Sequence, residues 1–381
     1  MGTAMQTLAE GITLCALADT WIEGEALRQL KQTATLPGMR RVAGMPDLHP
    51  GRGYPVGAAF FSVGHIYPAL IGGDIGCGMA LWQTSLDPRR DSATKLVKQL
   101  GSIDCPLDDS WQAQIASFQL ADADYTAALG TIGSGNHFAE VQRLDEVYDA
   151  SAVTALGLDE NRLQLLVHSG SRGLGQAILE LHMIAHGYNP LAADSAACAA
   201  YLHRHDHALR FAEANRALIA QRMLARWKAD GHCMLDVNHN LVSPACIEGE
   251  HGWLHRKGAT PGDAGPVVIP GSRGDYSYLV QPVQEAGLPA LYSLAHGAGR
   301  KWARKDCKGR LERRYTAAQL GRTRFGSHVV CEDRELLYEE APEAYKPITS
   351  VVNALEQAGL LRKLARLAPV LTYKTSGECC R

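Results

Sequence analysis

From residue 36 to 82 the chain sets short apolar pieces between glycines and prolines, and Ala58 to Val63 and His65 to Ile71 read as strands joined by loops. Residues 87 to 129 change period, predicting helices around Ser92 to Leu100 and Asp108 to Leu129, before a glycine loop at 130 to 136. Leu163 to His168 is a compact apolar run stopped by Ser-Gly-Ser-Arg-Gly, which predicts a buried strand carrying His168 at its tip. Residues 174 to 184 read as helix. Between Pro190 and Gly231 an Ala-, Leu- and Arg-rich segment contains neither glycine nor proline and predicts a helical hairpin, residues 190–231. Strand character returns at Met234 to His239 and at Pro266 to Ile269. The latter leads through Pro270-Gly-Ser-Arg-Gly-Asp275 into Tyr276 to Val280 as strand, loop and strand, and helices are expected from about 332 to 367. The sum is an α+β chain.

Its 381 residues could form one large domain or two. No internal repeat or low-complexity linker divides it, and the chemically interesting residues fall on both sides of every candidate boundary. A single domain, 1–381, is therefore expected. The net charge of −2 excludes a global field that would recruit a polyanion, so any nucleic-acid contact must be a local patch. Ten cysteines without a CxxC or paired spacing do not form a disulfide framework, and the adjacent Cys379-Cys380 reads as a mobile tail. The start of the chain lacks a basic region followed by an apolar core, Gln6 stands where a myristoylation signal wants Ser or Thr, and no apolar run reaches membrane-spanning length. A reduced, soluble, cytoplasmic protein is expected.

Candidate chemistry lies in the loops. Asp74-Ile-Gly-Cys77, Asn136-His137-Phe138, His168-Ser-Gly-Ser-Arg172 and Asn238-His239-Asn240 offer one thiolate, one carboxylate and three imidazoles. That is one ligand too many for a closed structural zinc, which takes four, and suits two metals sharing the thiolate. Mixed N, O and S donors fit Mn²⁺ or Zn²⁺ better than Mg²⁺ or Ca²⁺.

His296, in His-Gly-Ala-Gly-Arg300-Lys301, sits where bare amides and two cations could hold a phosphate. An ordinary imidazole, with a pKa of about 6.5, is mostly neutral at pH 7 and has a lone pair to attack phosphorus. The plain alternative is a histidine that only ties down its own loop. Two Ser-Arg loops, ending at Arg172 and Arg273, and Gly-Ser-Gly at 133 to 135 are further phosphate-binding candidates. Residues 300 to 314 hold eight Lys or Arg against two acids, with Trp302 and Tyr315 interleaved: a nucleic-acid track, or a solvated helix face. His203, His205 and His207 lie on the presumed hairpin with nothing to complete a metal site. Met-Pro-Asp47-Leu-His49 has the texture of a site, with Asp47 as an acid–base candidate or as part of a structural turn.

These motifs, in order, resemble the RtcB family of RNA ligases. The resemblance runs from Met45-Pro-Asp-Leu-His49 through Asp74 to Met79, Gly135 to Phe138, His168 to Gly173, His239-Asn240, His255-Arg-Lys-Gly-Ala-Thr260, Pro270-Gly-Ser and His296 to Arg300, to Lys374. It implies stacked sheets around a central metal and nucleotide cleft, with peripheral helices. It also implies GTP- and Mn²⁺-dependent joining of RNA 2′,3′-cyclic phosphate or 3′-phosphate ends to 5′-hydroxyl ends, in RNA repair or tRNA splicing, with room for an activating protein partner.

By this resemblance Asp74, Cys77 and His137 hold one Mn²⁺, and Cys77, His168 and His239 hold the other. His296 takes GMP from GTP, with Asp47, Arg172 and Arg300 assisting. The guanylate pocket would draw on Asn136, His137, Phe138, Ala139 and Glu140, and on His239 and Asn240. Pro270, Gly271, Ser272, Arg273 and Ser277 would follow, then Gly297, Ala298, Gly299 and Lys374.

The chain departs from the commonest family pattern at Asn238, often His, at Arg273, often Met, and at the loop Pro50-Gly-Arg52-Gly-Tyr-Pro. These departures suggest a divergent bacterial RNA-repair branch. A dinuclear phosphodiesterase or phosphatase acting on RNA ends is the alternative enzyme, and a non-catalytic RNA-end binder the alternative from another class.

Overall fold

The computed structural model describes residues 4–120 and 125–376, so Cys379 and Cys380 lie outside the described residues. The architecture is α+β, built on two large sheets. One has six strands in the order Met5–Ala9, Ile12–Cys15, Met39–His49, Val56–Ser62, Glu250–Lys257, Asn240–Ile247. The other runs Gly231–Asn238, Gly78–Thr84, Gln164–Ser169, Phe138–Val147, Leu361–Thr375, Ser277–Pro282, Val267–Pro270, with His328–Cys331 parallel to Leu361–Thr375. The inner faces share one apolar cluster, in which Ala43, Met45 and Phe61 of the first sheet meet Val267, Ile269, Tyr278 and Val280 of the second. The stacked-sheet expectation therefore holds.

Gly78–Thr84 and Gln164–Ser169 are buried along their whole length, as expected of central strands that present apolar residues to both faces. Register then decides where the chemistry lies. Asn238 pairs with Gly78, Gly78 with Ser169, and Phe138 with His168, so four neighbouring strands bring one row of positions to the same end of the sheet.

Four expectations fail in whole or in part. The expected hairpin at 190–231 is one helix, Ala196–Trp227, roughly 48 Å long at 1.5 Å per residue. With no glycine or proline to break it, and with buried residues on more than one side, it has no reason to turn. His65 to Ile71 is strand only at His65–Ile66, because Pro68 opens a short helix, Pro68–Ile71.

The closing helices give way at Leu361–Thr375 to a 15-residue strand. Its Leu-Arg-Lys-Leu-Ala-Arg-Leu-Ala text favours helix, but pairing with Phe138–Val147 on one side and Ser277–Pro282 on the other overrides propensity. Among the described residues of the segment from Asp108 to Leu129, the helical structure is confined to short pieces, Asp109–Trp111, Gln112–Ser117 and Thr126–Ala128. Among the described residues no helix is long and apolar enough to cross a membrane.

Candidate active site

Each ligand candidate sits at the end of a strand. Asp74 and Cys77 occupy the glycine turn before Gly78–Thr84, His137 precedes Phe138–Val147, and His168 lies near the end of Gln164–Ser169. His239 joins a strand of one sheet, Gly231–Asn238, to a strand of the other, Asn240–Ile247.

Glycines make the approach possible. A Cβ on Gly170 would fall 2.3 Å from Asp74 Oδ1 and 3.2 Å from the Cys77 Cα. Cys77 Sγ lies 3.1 Å from His168 Nε2 and 3.4 Å from His137 Nε2, and His137 Nε2 lies 3.1 Å from Asp74 Oδ2. Two triads result, Cys77–His168–His239 and Asp74–Cys77–His137, each with ligand atoms within 4.8 Å of one another and with Cys77 in both.

The donor set fits metal ions. Burial holds the His168 and His239 imidazoles well below their ordinary pKa, so both are neutral at pH 7 and able to ligate. Burial opposes the Asp74 carboxylate, but His137, Cys77 and His168 outweigh it and hold the group down at about 2. Burial, then Asp74, pushes the Cys77 thiol well above its usual range, so a thiolate here calls for a cation. The Nδ1 atom of His239 is buried without a hydrogen-bond partner, a cost that ligation through that nitrogen would remove.

His296 stands next to this cluster, its ring centroid 4.9 Å from that of His239. Asp47, fully buried, accepts from His296 Nδ1 at 2.6 Å and from its backbone N–H at 3.3 Å. This fixes the tautomer and leaves Nε2 as the free nitrogen. Lys346 steadies the arrangement by donating to the carbonyls of Pro46 and Leu48, either side of Asp47, at 2.8 and 2.9 Å. Burial lowers its pKa to about 8. Gly299, at φ +70°, is required here, since a Cβ would lie 2.3 Å from Asp47 O.

His296 opens into a cleft of about 240 Å³. Of the residues expected to bind nucleotide, Asn136, Phe138, Pro270, Gly271, Ser272, Arg273, Gly297, Ala298, Gly299 and Lys374 line it. Others do not. Ala139 points to the opposite face of its strand, into the apolar cluster of Val141 and Val167. Glu140 and Ser277 stand one row behind the wall: Glu140 accepts from Thr372 Oγ1 at 2.5 Å, and Ser277 Oγ from Gln142 at 2.8 Å. Burial raises the Glu140 pKa to about 7 against the pull of Thr372, Gln142 and Lys374. Asn240 clamps backbone, donating to Asp74 O at 3.1 Å and accepting from Gly258 N at 2.6 Å.

The arginines divide. Arg300 lines the cleft, but its guanidinium is spent on Trp302 O, Glu340, Tyr345 Oη, Glu339 O and Cys307 Sγ. Arg172 lies outside the cleft, in an adjoining depression with Asp104, Thr131 and Ser134, where a Cβ on Gly133 would overlap its guanidinium. Arg273 is buried, donates from Nη2 to Leu337 O at 2.8 Å, and has no partner at Nη1. Three of the basic run's eight cations, Arg300, Arg304 and Lys308, have carboxylate partners, all from outside the run. Arg304 and Lys308 pair with Glu340 and Glu335, while Lys301 and Arg310 lie over the Trp302 ring. His205 accepts from Val242 N at 3.2 Å, a packing role.

Other contributors were not expected to bind nucleotide, and of these Glu340, Tyr345 and Thr372 carry no local sequence signal. Glu340, Tyr345, Arg304 and Thr372 line the cleft, and Glu340 gathers Arg300, Arg304, Lys374 and the Tyr345 hydroxyl. His49 also lines it, stacked 6.4 Å from His296.

The family profile described as tRNA-splicing ligase RtcB matches residues 29–107 and 109–375. The chain belongs to the RtcB family. It is 54% identical over 377 residues to RNA-splicing ligase RtcB2 of Escherichia coli, covering 99% of both chains. To RNA-splicing ligase RtcB of Mycobacterium tuberculosis it is 31% identical, covering 90% of this chain and 99% of that one. To tRNA-splicing ligase RtcB of Methanococcus maripaludis it is 29% identical, covering 93% and 92%. The resemblance seen in the motifs is therefore a membership that extends over almost the whole RtcB chain.

Proposed function

We propose that this protein is an RNA ligase that joins 3′-phosphate or 2′,3′-cyclic phosphate ends to 5′-hydroxyl ends, using GTP and two Mn²⁺ ions, with the whole chain acting as one catalytic domain. The observation that carries this reading is a buried carboxylate on Nδ1 of a cleft-facing histidine, placed against a dinuclear ligand set. A hydrolase of RNA ends could use the metals but has no need of the Asp47–His296 pair. The names of the relatives, RNA-splicing and tRNA-splicing ligases, support the same reading.

His296 Nε2 attacks the α-phosphorus of GTP, forming the N–P bond as the bond to pyrophosphate breaks. The Asp47 carboxylate stabilises the positive charge that develops on the ring. An oxygen of the RNA 3′-phosphate then attacks the histidine-bound phosphorus, freeing His296 and leaving RNA joined to GMP through a pyrophosphate. The 5′-hydroxyl of the second strand attacks the RNA-side phosphorus, losing its proton to a base, and GMP departs.

Asp74, Cys77, His137, His168 and His239 would hold the metals, which supply Lewis-acid stabilisation of phosphoryl charge when bound. Lys374 and Arg273, on the cleft wall, add positive charge for the nucleotide. A cyclic end is hydrolysed to the 3′-phosphate first. Incubating the protein with such RNA ends, Mn²⁺ and each of the four ribonucleoside triphosphates tests the proposal. Joined product with GTP, absent in His296→Ala, is expected. Release of phosphate from RNA ends by both proteins without joining would establish the hydrolase instead.

A further inference from the structure

The long helix Ala196–Trp227 supports the metal turn through one face. Gly76 rests on it so closely that a Cβ there would come within 2.7 Å of the Ala212 Cβ. One turn further along, Arg216 is completely buried, and its guanidinium makes four hydrogen bonds from Nε, Nη1 and Nη2. Nε donates to Asp236 Oδ1 at 2.7 Å, Nη1 to Gly76 O at 2.7 Å and Ser169 O at 3.0 Å, and Nη2 to Asn238 Oδ1 at 2.7 Å, while Nη2 and Asp236 Oδ1 stand 2.6 Å apart as an ion pair. Gly76 immediately precedes Cys77, Ser169 immediately follows His168, and Asn238 immediately precedes His239. The backbone leaves room for the fork: a Cβ on Gly78 would stand 3.0 Å from Nη1.

We propose that Arg216 is the positioning residue of the dinuclear centre, a single planar fork that sets the three strand ends bearing Cys77, His168 and His239 at their mutual distances. The proposal rests on the metal-binding reading of those residues. It explains why a full cation is buried beneath a cation-binding site. Asp236 supplies the countercharge, and Glu213, which accepts from Asn238 Nδ2 at 2.8 Å, holds the amide so that its oxygen faces the guanidinium. Lysine could not substitute, because its three donors radiate from one point and cannot reach acceptors spread over three strands. Asn215, the neighbouring helical residue, does similar work for the glycine loop, accepting from Gly130 N at 2.9 Å and donating to Ser169 Oγ at 3.0 Å.

The test compares wild type, Arg216→Lys and Asn238→Leu, each checked for folding by circular dichroism. Mn²⁺ affinity is measured by calorimetry, and site geometry by the thiolate-to-cobalt charge-transfer and d–d bands after Co²⁺ loading. Expected is about a 10- to 100-fold loss of Mn²⁺ affinity in Arg216→Lys, in line with losses of groups that orient metal ligands, together with altered cobalt bands. Asn238→Leu should change both in the same direction by less, and Asn238→Asp, which keeps the acceptor, should restore them. Folded variants with wild-type affinity and unchanged cobalt bands would overturn the proposal. If Arg216→Lys does not fold, the Asn238 pair decides alone. A wild type that binds no metal overturns the premise itself, which separates that failure from this one.

Discussion

Asp47→Asn is the most informative single substitution, because it keeps the shape of a fully buried side chain and removes its charge. Asp47 touches His296 twice, at 2.6 Å through Nδ1 and 3.3 Å through the backbone N–H, and does not line the cleft. A hydrogen bond to a charged group contributes roughly 1.5–3 kcal/mol, so its loss as charge develops on the ring corresponds to a rate decrease of about 10- to 150-fold. That figure applies if the new amide turns its oxygen to the imidazole. If it turns its NH₂, Nδ1 must accept, the proton moves to Nε2, and the nucleophile has no lone pair, so the loss is larger. Single-turnover transfer of label from GTP to protein measures the rate directly, and its dependence on GTP concentration should show unchanged nucleotide affinity. A variant reacting within threefold of wild type, or one whose defect lies wholly in GTP affinity, would refute the role given to Asp47.

Other outcomes follow from the same geometry. Cys77 is the ligand whose proton burial retains, so above pH 7.5 Mn²⁺ binding should release one proton and tighten about tenfold per pH unit; calorimetry in buffers of differing ionisation enthalpy would contradict this by finding no proton release. Arg273→Met removes the cleft cation with an unpartnered Nη1 and should raise the KM for GTP about tenfold with little change in kcat, whereas an unaltered KM would exclude Arg273 from the nucleotide site. Burial acts against the Glu340 carboxylate, yet Lys374, Arg304 and Arg300 hold it at about 2. A depressed carboxylate stabilises the fold above its unfolded pKa, near 4.5, and loses that contribution as pH falls towards 2. Glu340→Gln should therefore cost on the order of 3 kcal/mol at pH 7, a gap that narrows in acid, and denaturant titrations showing a pH-independent gap would count against it.

How much of this was legible in the sequence depends on distance along the chain. The ligand-bearing loops could be read because glycines and donor residues lie side by side, as in Asp74 to Cys77, and strand tips such as His168 announce themselves by an apolar run ended by a turn. Leu361–Thr375 reads as helix from its composition, while its strand state is imposed by neighbours about 80 and more than 200 residues away in sequence. The same holds for Arg216, Lys346 and Glu340. Each acts through partners remote in sequence, and nothing in the surrounding text separates them from ordinary helix or surface charges. Arg300 shows the converse: its place after His296-Gly-Ala-Gly suggests a phosphate ligand, but folding commits all its donors to protein acceptors.

The central claim, nucleotidyl transfer to His296, is tested most directly by incubating the protein with Mn²⁺ and α-labelled GTP, denaturing it, and measuring label retained on the chain in wild type and His296→Ala. The account predicts acid-labile, alkali-stable label on the wild type alone. Metal-loaded, folded wild type that retains no label, or a His296→Ala variant that retains as much, would contradict it.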